Sequence, residues 1–293
     1  MTSSQLAYPI CIVANDAGAA NLVLGFVKKY SISELRFCLQ GPAEKIFRSA
    51  YPELENLSLE TALAGARSLL SGTSGFILLE HEARRIAAQQ GIFSVAVIDH
   101  WVNYAERFER EGIEILPNEI WVTDTYALNI AQAIFLKTPL RLMPNYYLKD
   151  TLSQIREVRK TDDLRILYLL EPMHTDWERG KVNGEFQALE YFLSKLPQIF
   201  HQKSWQMRLR LHPSEEPHKY DSWLLLQSDK RISIDENSLV ESMSWSNLIA
   251  GCESNAMVLG LLAGRRVVST LPPWAHNCRL PHIEIELLRE LET

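Results

Sequence analysis

The stretch VAVIDHWVNYAERF, residues 95–108, shows how this chain is built. Its first four residues are apolar, and three of them are β-branched, which is typical of a strand buried on both faces of a sheet. A carboxylate and an imidazole follow at once, Asp99 and His100. Strands of this kind occur in parallel α/β sheets, where ligands bind beyond the carboxyl ends of the strands. The stretch therefore predicts an α/β fold with functional residues at a strand end.

The same pattern repeats through the first half of the chain. YPICIVAND (8–16) predicts a strand that ends in polar residues, and LRFCLQGPA (35–43) predicts a second strand with a Gly-Pro stop. SGTSG (71–75) reads as a loop before a helix that ends on Gly91, a common helix C-terminal residue. Strands that alternate with helices indicate right-handed βαβ units and a mainly parallel sheet.

The alternation stops at residues 146–164 and then restarts. That polar segment is either a connector between domains or a single surface helix. After it, LRILYLLEP (164–172) begins a second series of strands and helices, and IEIELLRELE (283–292) predicts a final amphipathic helix. We therefore expect two Rossmann-like, doubly wound domains that face a cleft. Their predicted bounds are 1–148 and 164–293, with a linker at 149–163.

Bulk composition limits the possible functions. The chain has 293 residues, of which 46% are hydrophobic, and a net charge of −6, so it carries no global basic surface for nucleic acid. Its apolar runs are far shorter than the roughly 20 residues of a membrane span. The first residues lack a signal-peptide pattern. No CxxC pair occurs, which predicts a reducing cytoplasm and no disulfide framework. The four cysteines are scattered; Cys11 reads as a buried small hydrophobe, and the others are Cys38, Cys252 and Cys278.

Polar residues follow several of the predicted strands of the second half. His212-Pro213 comes directly after WQMRLRL, on the same strand face as Arg210, and a histidine fixed in this way can donate a ring N–H to a phosphate. Ser254 and Asn255 start a helix after another strand, where backbone amides and a hydroxyl favour an anion. Glu171 and Glu253 also end strands. Each has a simpler interpretation: a helix cap for Ser254, a solvated histidine for His212, and a turn for Glu171-Pro172. Together they predict a nucleotide-sugar site.

These motifs resemble glycosyltransferases of GT-B architecture that use CMP-activated ulosonic acids, namely sialic acid and Kdo. The resemblance rests on His212-Pro213, Ser254-Asn255 and Glu171-Pro172, and it implies that the histidine and the serine contact the nucleotide phosphate. In the first half, Asn15-Asp16-Ala17-Gly18, Gly72-Thr73-Ser74 and the stretch 99–108 resemble proteins of bacterial capsule and O-antigen gene clusters. The nearest mechanistic type is the retaining β-Kdo transferase, which is thought to use an aspartate nucleophile. The resemblance implies an acceptor domain followed by a donor domain.

Retention of configuration at a sugar carbon is most simply achieved by two displacements, and Asp99 is the predicted nucleophile. His100 or Glu80 is the predicted general base. Arg107 matches the ulosonate carboxylate as a bidentate donor, or forms a surface salt bridge with Glu106 or Glu111. Trp101, Tyr104 and Phe108 either stack on sugars or pack the loop. The predicted acceptor or sugar contacts are Asp16, Thr73, Ser74, Asn103, Tyr104 and Arg107.

Several functions are disfavoured by missing motifs. No GxGxxG follows the first strand, so a dinucleotide cofactor is not expected, and no HExxH or similar cluster indicates a metal. The remaining histidines, His174, His218, His276 and His282, read as surface or packing residues. Two alternatives stay open beside the CMP-ulosonate transferase. One is a UDP-sugar transferase or 2-epimerase of the same architecture, and the other is a non-catalytic glycan- or nucleotide-binding protein. The expected location is the cytoplasm, with peripheral contact at the inner membrane face plausible.

Overall fold

The computed structural model describes residues 6–74, 77–157, 163–173, 177, 181–200, 204–227 and 231–291. It divides into two compact units, Met1–Lys149 and Asp150–Thr293, called here the N-terminal and C-terminal units. Within the described residues, no helix is long and apolar enough to cross a membrane.

The N-terminal unit is built on a parallel sheet of six strands with the order β2-β1-β3-β4-β7-β8. The strands are β1 (Ile10–Ala14), β2 (Leu35–Leu39), β3 (Ser68–Ser71), β4 (Phe93–Val97), β7 (Glu119–Val122) and β8 (Leu140–Leu142), with a separate hairpin of β5 (Glu109–Arg110) and β6 (Ile113–Glu114). Strand β1 is central: Ile12 pairs with Phe37 on one side and with Leu70 on the other. The chain therefore winds outward from β1 in both directions.

Helices cover both faces of this sheet. They are α1 (Ala17–Lys29), α2 (Gly41–Ala50), α3 (Leu59–Ala64), α4 (Leu79–Gln90), α5 (Thr125–Ile134) and α6 (Tyr146–Gln154). Consecutive residues of β1 enter different cores: Ile12 packs with α1 and α2, whereas Val13 packs with α3 and α4. Both side chains are fully buried, which explains why the strand is apolar without alternation.

The C-terminal unit repeats this plan with the strand order β11-β10-β9-β12-β13-β14. The strands are β9 (Leu164–Leu169), β10 (Trp205–Arg210), β11 (Ile232–Ile234), β12 (Leu248–Gly251), β13 (Arg266–Ser269) and β14 (Glu286–Leu287). The helices are α7 (Gly184–Phe200), α8 (Asp221–Leu226), α9 (Leu239–Trp245) and α10 (Asn255–Leu262), with a 3₁₀ turn at Leu288–Glu290. All pairings in this sheet are parallel. The predicted class of two Rossmann-like, doubly wound α/β sheets is confirmed.

Each sheet has one point at which the strand order reverses direction. In the N-terminal unit this switch point lies between β1 and β3, and in the C-terminal unit it lies between β9 and β12. Loops that leave the carboxyl ends of the two strands at a switch point go to opposite faces and open a crevice. Each unit therefore offers one position where a ligand is expected.

Some local predictions were wrong. The described part of the predicted final helix, 283–291, is not an α-helix: Glu286 and Leu287 pair with Val268 and Ser269 in an edge strand, and a 3₁₀ turn follows. The strand has only two residues, too few to show a period in the sequence. The strand predicted to stop at Gly41-Pro42 does end there, at Leu39, and these two residues also begin α2, because Pro is favoured in the first helical turn.

The loop predicted at 71–75 begins inside strand β3, which the sequence analysis missed. Serines occupy both ends of this four-residue strand, and all four residues are buried. A pattern this short has no clear period. Part of the predicted linker, 149–163, belongs to helix α6, and residues 158–162 lie outside the described part of the chain.

Candidate functional site

Four of the predicted residues follow three neighbouring strands at or beside the switch point of the C-terminal unit. Glu171 follows β9, His212 follows β10, and Glu253 and Ser254 follow β12. These three strands are neighbours in the order β10-β9-β12, so their carboxyl ends lie side by side, about 5 Å from strand to strand. The C-terminal unit therefore gathers these residues at one edge.

The hydrogen bonds of His212 determine where its ring proton lies. The backbone N–H of Ser214 donates to Nδ1 at 3.2 Å, and the Ser214 hydroxyl contacts the same atom at 2.7 Å. Because Nδ1 accepts, the proton of the neutral ring is on Nε2. Burial lowers the pKa of His212, which favours this neutral form. The turn at Pro213 therefore presents an uncharged Nε2–H donor.

Ser254 is the N-cap of α10, and its hydroxyl accepts a hydrogen bond from the backbone N–H of Ala256 at 3.3 Å. The capping interpretation of Ser254 is thus confirmed, and Asn255 is the first helical residue. The cap is neutral and the first turn of α10 has no acidic side chain, so neither carries a charge that compensates the positive end of the helix dipole. The start of α10 therefore favours an anion, as the sequence analysis expected.

The two glutamates of this edge stabilise the loops. The backbone N–H of Glu253 donates to Glu171 Oε2 at 2.9 Å, and burial raises the pKa of Glu171 to about 7. The Glu253 carboxylate accepts from Arg279, with Nε at 3.0 Å, and from His276 Nε2 at 3.1 Å. Burial acts to raise the pKa of Glu253, but the bonds from Arg279 and His276 outweigh it and the pKa falls. Glu253 is therefore an ionised anchor for the 276–279 segment.

A buried ion network that the sequence analysis missed supports His212. Glu215 accepts from the backbone N–H of His212 at 3.4 Å, and its other oxygen accepts from Lys219 Nζ at 2.6 Å. Lys219 also contacts Glu185 of α7 at 2.5 Å, and Glu185 accepts from the backbone N–H of Met173. The network joins the loops after β9 and β10. Only the i,i+4 spacing of Glu215 and Lys219 was visible in the sequence.

Arg210 lies on the strand that leads to His212. Its Nη1 donates to Asp235 at 2.8 Å and to the backbone carbonyl of Asn237 at 2.9 Å. The Asp235 side chain is fully buried. Arg210 therefore acts within the unit as the charge partner of a buried carboxylate.

The switch point of the N-terminal unit gathers a different set of residues. Asp16 follows β1 and caps α1, with its Oδ1 accepting from the backbone N–H of Ala19 at 3.0 Å. Asp99 follows β4 and forms an ion pair with Arg107, with Nη1 3.0 Å from Oδ1. Glu80 lies in the first turn of α4 and accepts from the backbone N–H of Asn15 at 2.9 Å. This edge therefore carries three carboxyl groups, one of them ion-paired.

Arg107 connects the loops of this edge. In addition to its ion pair with Asp99, Arg107 donates from Nη1 to the backbone carbonyl of Thr73 at 3.0 Å. Its Nε donates to the backbone carbonyl of Val102 at 3.1 Å. Thr73 in turn donates its hydroxyl to the carbonyl of Val97, and Ser74 accepts from Arg110 through its backbone carbonyl. The predicted salt bridge of Arg107 with Glu106 or Glu111 is replaced by the one with Asp99.

Aromatic residues of the 99–108 stretch are packed inside the unit. Tyr104 is 2% exposed, stacks on Phe135 and donates to the backbone carbonyl of Ala127 at 3.4 Å. Phe108 is fully buried, and Trp101 donates to Asp124 at 2.9 Å. The packing interpretation of these rings is confirmed, so a sugar would have to displace core contacts to reach Tyr104.

The remaining predicted residues fall in several places. His100 follows Asp99 and packs edge-on against Trp101, and Asn103 has a positive φ of 57°, which bends the loop. His218 is exposed and contacts Asp221, while His282 is buried. His174 lies outside the described residues. Across the described ranges, no group of three or more His, Cys, Asp or Glu side chains could hold a metal ion.

Comparison with known proteins identifies the fold. No protein-family model and no curated protein matches this chain. Solved structures that share its fold include the three described next. S. aureus MnaA, in a co-structure with UDP, superposes with a TM-score of 0.62 at 13% identity, over 89% of this chain and 78% of that chain. A UDP-N-acetylglucosamine 2-epimerase superposes with a TM-score of 0.53 at 11% identity, over 89% and 78%.

The third structure is the wall teichoic acid polymerase TagF, with a TM-score of 0.51 at 12% identity, over 90% of this chain and 70% of that chain. A β-Kdo transferase, KpsC of Thermosulfurimonas dismutans, reaches a TM-score of only 0.32, too low to carry an argument. The chain thus has the fold of nucleotide-sugar-dependent enzymes. The comparisons do not favour the specific likeness to Kdo transferases that the sequence analysis expected.

Proposed function

We propose that this chain is a nucleotide-sugar-dependent enzyme whose C-terminal unit binds the phosphates of a nucleoside diphosphate sugar. The observation that carries the proposal is the Nε2–H donor of neutral His212 on the same sheet edge as the neutrally capped start of α10. Only β9 lies between strands β10 and β12, so the strands that carry the two donors are about 10 Å apart. A diphosphate and its sugar oxygen can span this distance.

UDP is the nucleotide that we favour. S. aureus MnaA is described in complex with UDP and a second structure of the same fold is a UDP-N-acetylglucosamine 2-epimerase. A neutral histidine and helix amides recognise phosphate oxygens without reference to the base, and they suit two phosphates better than one. The reaction is either epimerisation of the UDP-sugar or transfer of its sugar to an acceptor.

A second candidate, transfer of a CMP-activated ulosonic acid such as Kdo, is favoured by one observation. Asp99 forms an ion pair with Arg107 and is 14% exposed, so a ligand can reach it as it would have to reach a nucleophile. Asp99 would bond to the anomeric carbon while the nucleotide leaves with the electron pair of the broken bond, and the acceptor hydroxyl would then displace it. His100 or Glu80 would accept the hydroxyl proton in that mechanism.

The test is a thermal unfolding series with UDP, UMP, CMP, CDP and GDP at equal concentration. A ligand at 100 times its Kd stabilises by about 2.7 kcal/mol, which raises the Tm by roughly 4–5 °C in a chain of this size. We expect UDP to give the largest shift and His212→Ala to abolish it. His218→Ala is the matched control, because this exposed histidine lies in the same segment.

Each other outcome has a defined meaning. A selective shift with CMP would support the ulosonate transferase and justify a search for a glycosyl adduct on Asp99. An absence of any shift would leave a non-catalytic binding protein as the better interpretation. With UDP established, proton NMR of a UDP-sugar separates the two reactions: the C2 epimer forms without an acceptor, whereas transfer releases UDP only when an acceptor is present.

A further inference from the structure

Two carboxyl groups lie against the first turn of α1 in the N-terminal unit. Asp16 caps the helix, and the Asp99 carboxylate occupies the space above Gly18, two residues further on. A Cβ atom placed on Gly18 would lie 1.8 Å from Asp99 Oδ2. Glycine is therefore needed at this position so that Asp99 can approach the helix backbone. The arrangement brings two acidic side chains to one helix start.

A third carboxyl group lies behind this pair. Glu80 is 1% exposed, and its Oε1 accepts from the backbone N–H of Asn15, the residue before Asp16. Its second oxygen, Oε2, is buried and has no hydrogen-bond partner within the part of the chain that the structure describes. An unpartnered carboxylate oxygen in an apolar setting is costly unless the group is protonated or meets a ligand.

The positive charge at this edge is unequally divided. Arg107 contacts Asp99 directly, at 3.0 Å, and Arg84 and Arg110 act electrostatically on Glu80. Asp16 faces Asp99, Glu80 and Arg107, and its Oδ1 is used by the α1 cap. Arg107 thus contacts Asp99 directly but acts on Asp16 through space. Such a difference in the surroundings of two acids is the usual basis for assigning acid–base roles.

We propose that Asp16 is the proton-transfer residue of the enzyme, with the ion pair of Asp99 and Arg107 as its neighbour, and that Asp16 takes a proton from the sugar substrate. This proposal rests on the proposed function, which supplies the substrate class. In the step, the X–H bond of a sugar hydroxyl or carbon breaks, an O–H bond forms on Asp16, and the electron pair stays on the substrate atom.

The titration behaviour of Asp16 agrees with this role. Burial raises the pKa of Asp16 to about 7, repulsion from Asp99 adds to the effect, and the cap bond from Ala19 opposes it. A general base is most effective when its pKa lies near the working pH, because it is then both available and strong enough. An ordinary aspartate, with a pKa of about 3.9, would be a much weaker base.

The first test needs no substrate. Carboxyl ¹³C NMR of the aspartate-labelled protein, with the Asp16 signal assigned by its loss in Asp16→Asn, should show a titration midpoint near the pKa of about 7. The midpoint should fall in Asp99→Asn, because the neighbouring negative charge is gone. A midpoint near the ordinary value of about 3.9 in the wild-type protein would overturn the proposal.

The second test measures catalysis with the nucleotide sugar identified above. Asp16→Asn keeps a capping side chain and should lower kcat by roughly 10²–10⁴-fold with little change in KM, and it should remove the acid limb of the pH profile. The stabilisation by UDP should be unchanged, because His212 and α10 belong to the other unit. If Asp16→Asn binds UDP normally and has an unchanged kcat, the role of Asp16 is overturned. If the wild-type protein itself does not bind UDP, the proposed function is overturned.

A matched variant separates capping from proton transfer. Asp124 caps α5 in the same way, with its Oδ1 accepting from the backbone N–H of Ala127 at 2.7 Å. The stability of Asp124→Asn therefore gives an upper limit for the cost of exchanging an aspartate cap for asparagine, because Asp124 also accepts a hydrogen bond from Trp101. The proposal is supported if Asp16→Asn loses kcat but loses no more stability than Asp124→Asn does. If kcat falls only in proportion to unfolding, the role of Asp16 is structural and the proposal fails.

Discussion

The two sheets have the same winding but opposite chemistry at their switch points. In the N-terminal unit the helix that follows the central strand starts at Asp16, an acidic cap, and Asp99 lies on its first turn. In the C-terminal unit the helix α10 starts at Ser254, a neutral cap, and the nearby Glu253 is neutralised by Arg279. One helix start thus lies against the protein's own carboxylates, and the other has a neutral cap and no acidic side chain in its first turn.

This difference shows what a doubly wound fold does and does not supply. The strand order provides a crevice in both units, but the side chains at the strand ends decide which ligand each crevice accepts. Carboxylates at a helix start compensate the dipole and repel phosphate, whereas a hydroxyl leaves the helix dipole and its amides available. The predictions below test this contrast, beginning with the largest effect.

The C-terminal edge depends on Lys219, which bridges the buried carboxylates of Glu185 and Glu215. Lys219→Met would leave two carboxylates, each 1% exposed, without their cation. Removing one partner of a buried ion pair costs about 3–5 kcal/mol. Chemical denaturation should show a loss of this size, and Glu185→Gln introduced together with Lys219→Met should recover part of it. A loss no greater than that of a surface substitution would contradict the network.

The N-terminal edge depends on the absence of a side chain at residue 18. In Gly18→Ala the new methyl group would overlap the Asp99 carboxylate and disturb its ion pair with Arg107. Overpacking of this kind costs about 1–3 kcal/mol. In an Asp99→Ala background the same change should instead stabilise the helix by up to about 1 kcal/mol, because alanine is the better helix former. Equal effects in both backgrounds would show that Asp99 does not fill this space.

Ser254→Asp would make the start of α10 resemble that of α1. Aspartate also caps helices well, so the free energy of unfolding should change little. The added carboxylate should weaken the binding of UDP by about tenfold or more, since like charges close to a phosphate site are unfavourable. Calorimetric titration measures the Kd. Ser58→Asp, at the cap of α3, is the control and should leave the Kd unchanged.

The last expected effect is a pH dependence of stability. The pKa of Asp16 is raised to about 7 in the folded chain, against about 3.9 when unfolded. Between these values the folded chain holds a proton that the unfolded chain has released, so stability falls as pH rises from about 4 to about 7. The difference in free energy of unfolding between the wild-type protein and Asp16→Asn should shift against the wild-type protein as the pH rises through this window. Below and above the window, this difference should stay constant. A constant difference at all pH values would mean that Asp16 titrates normally.

Several features could be predicted from the sequence because they are local. Apolar strands alternating with helices gave the α/β class, and Gly91 marked the end of α4. The strand ends also showed which chemical groups reach the edges of the sheets, among them His212, Ser254, Asp16 and Asp99. Local patterns failed where an element is short, as in β3, or where an edge strand carries helix-forming residues, as at 286–287.

Only the tertiary structure decided which of these residues meet. Arg107 and Thr73 are 34 residues apart, and Glu253 and Glu171 are 82 apart. Such contacts depend on the order of strands in the sheet, and a local hydrophobic pattern does not encode that order. The same holds for the burial that raises the pKa of Asp16 and for the packing of Tyr104. The sequence by itself determined which chemical groups stand at the strand ends; the fold determined their neighbours, and hence their charge state and exposure.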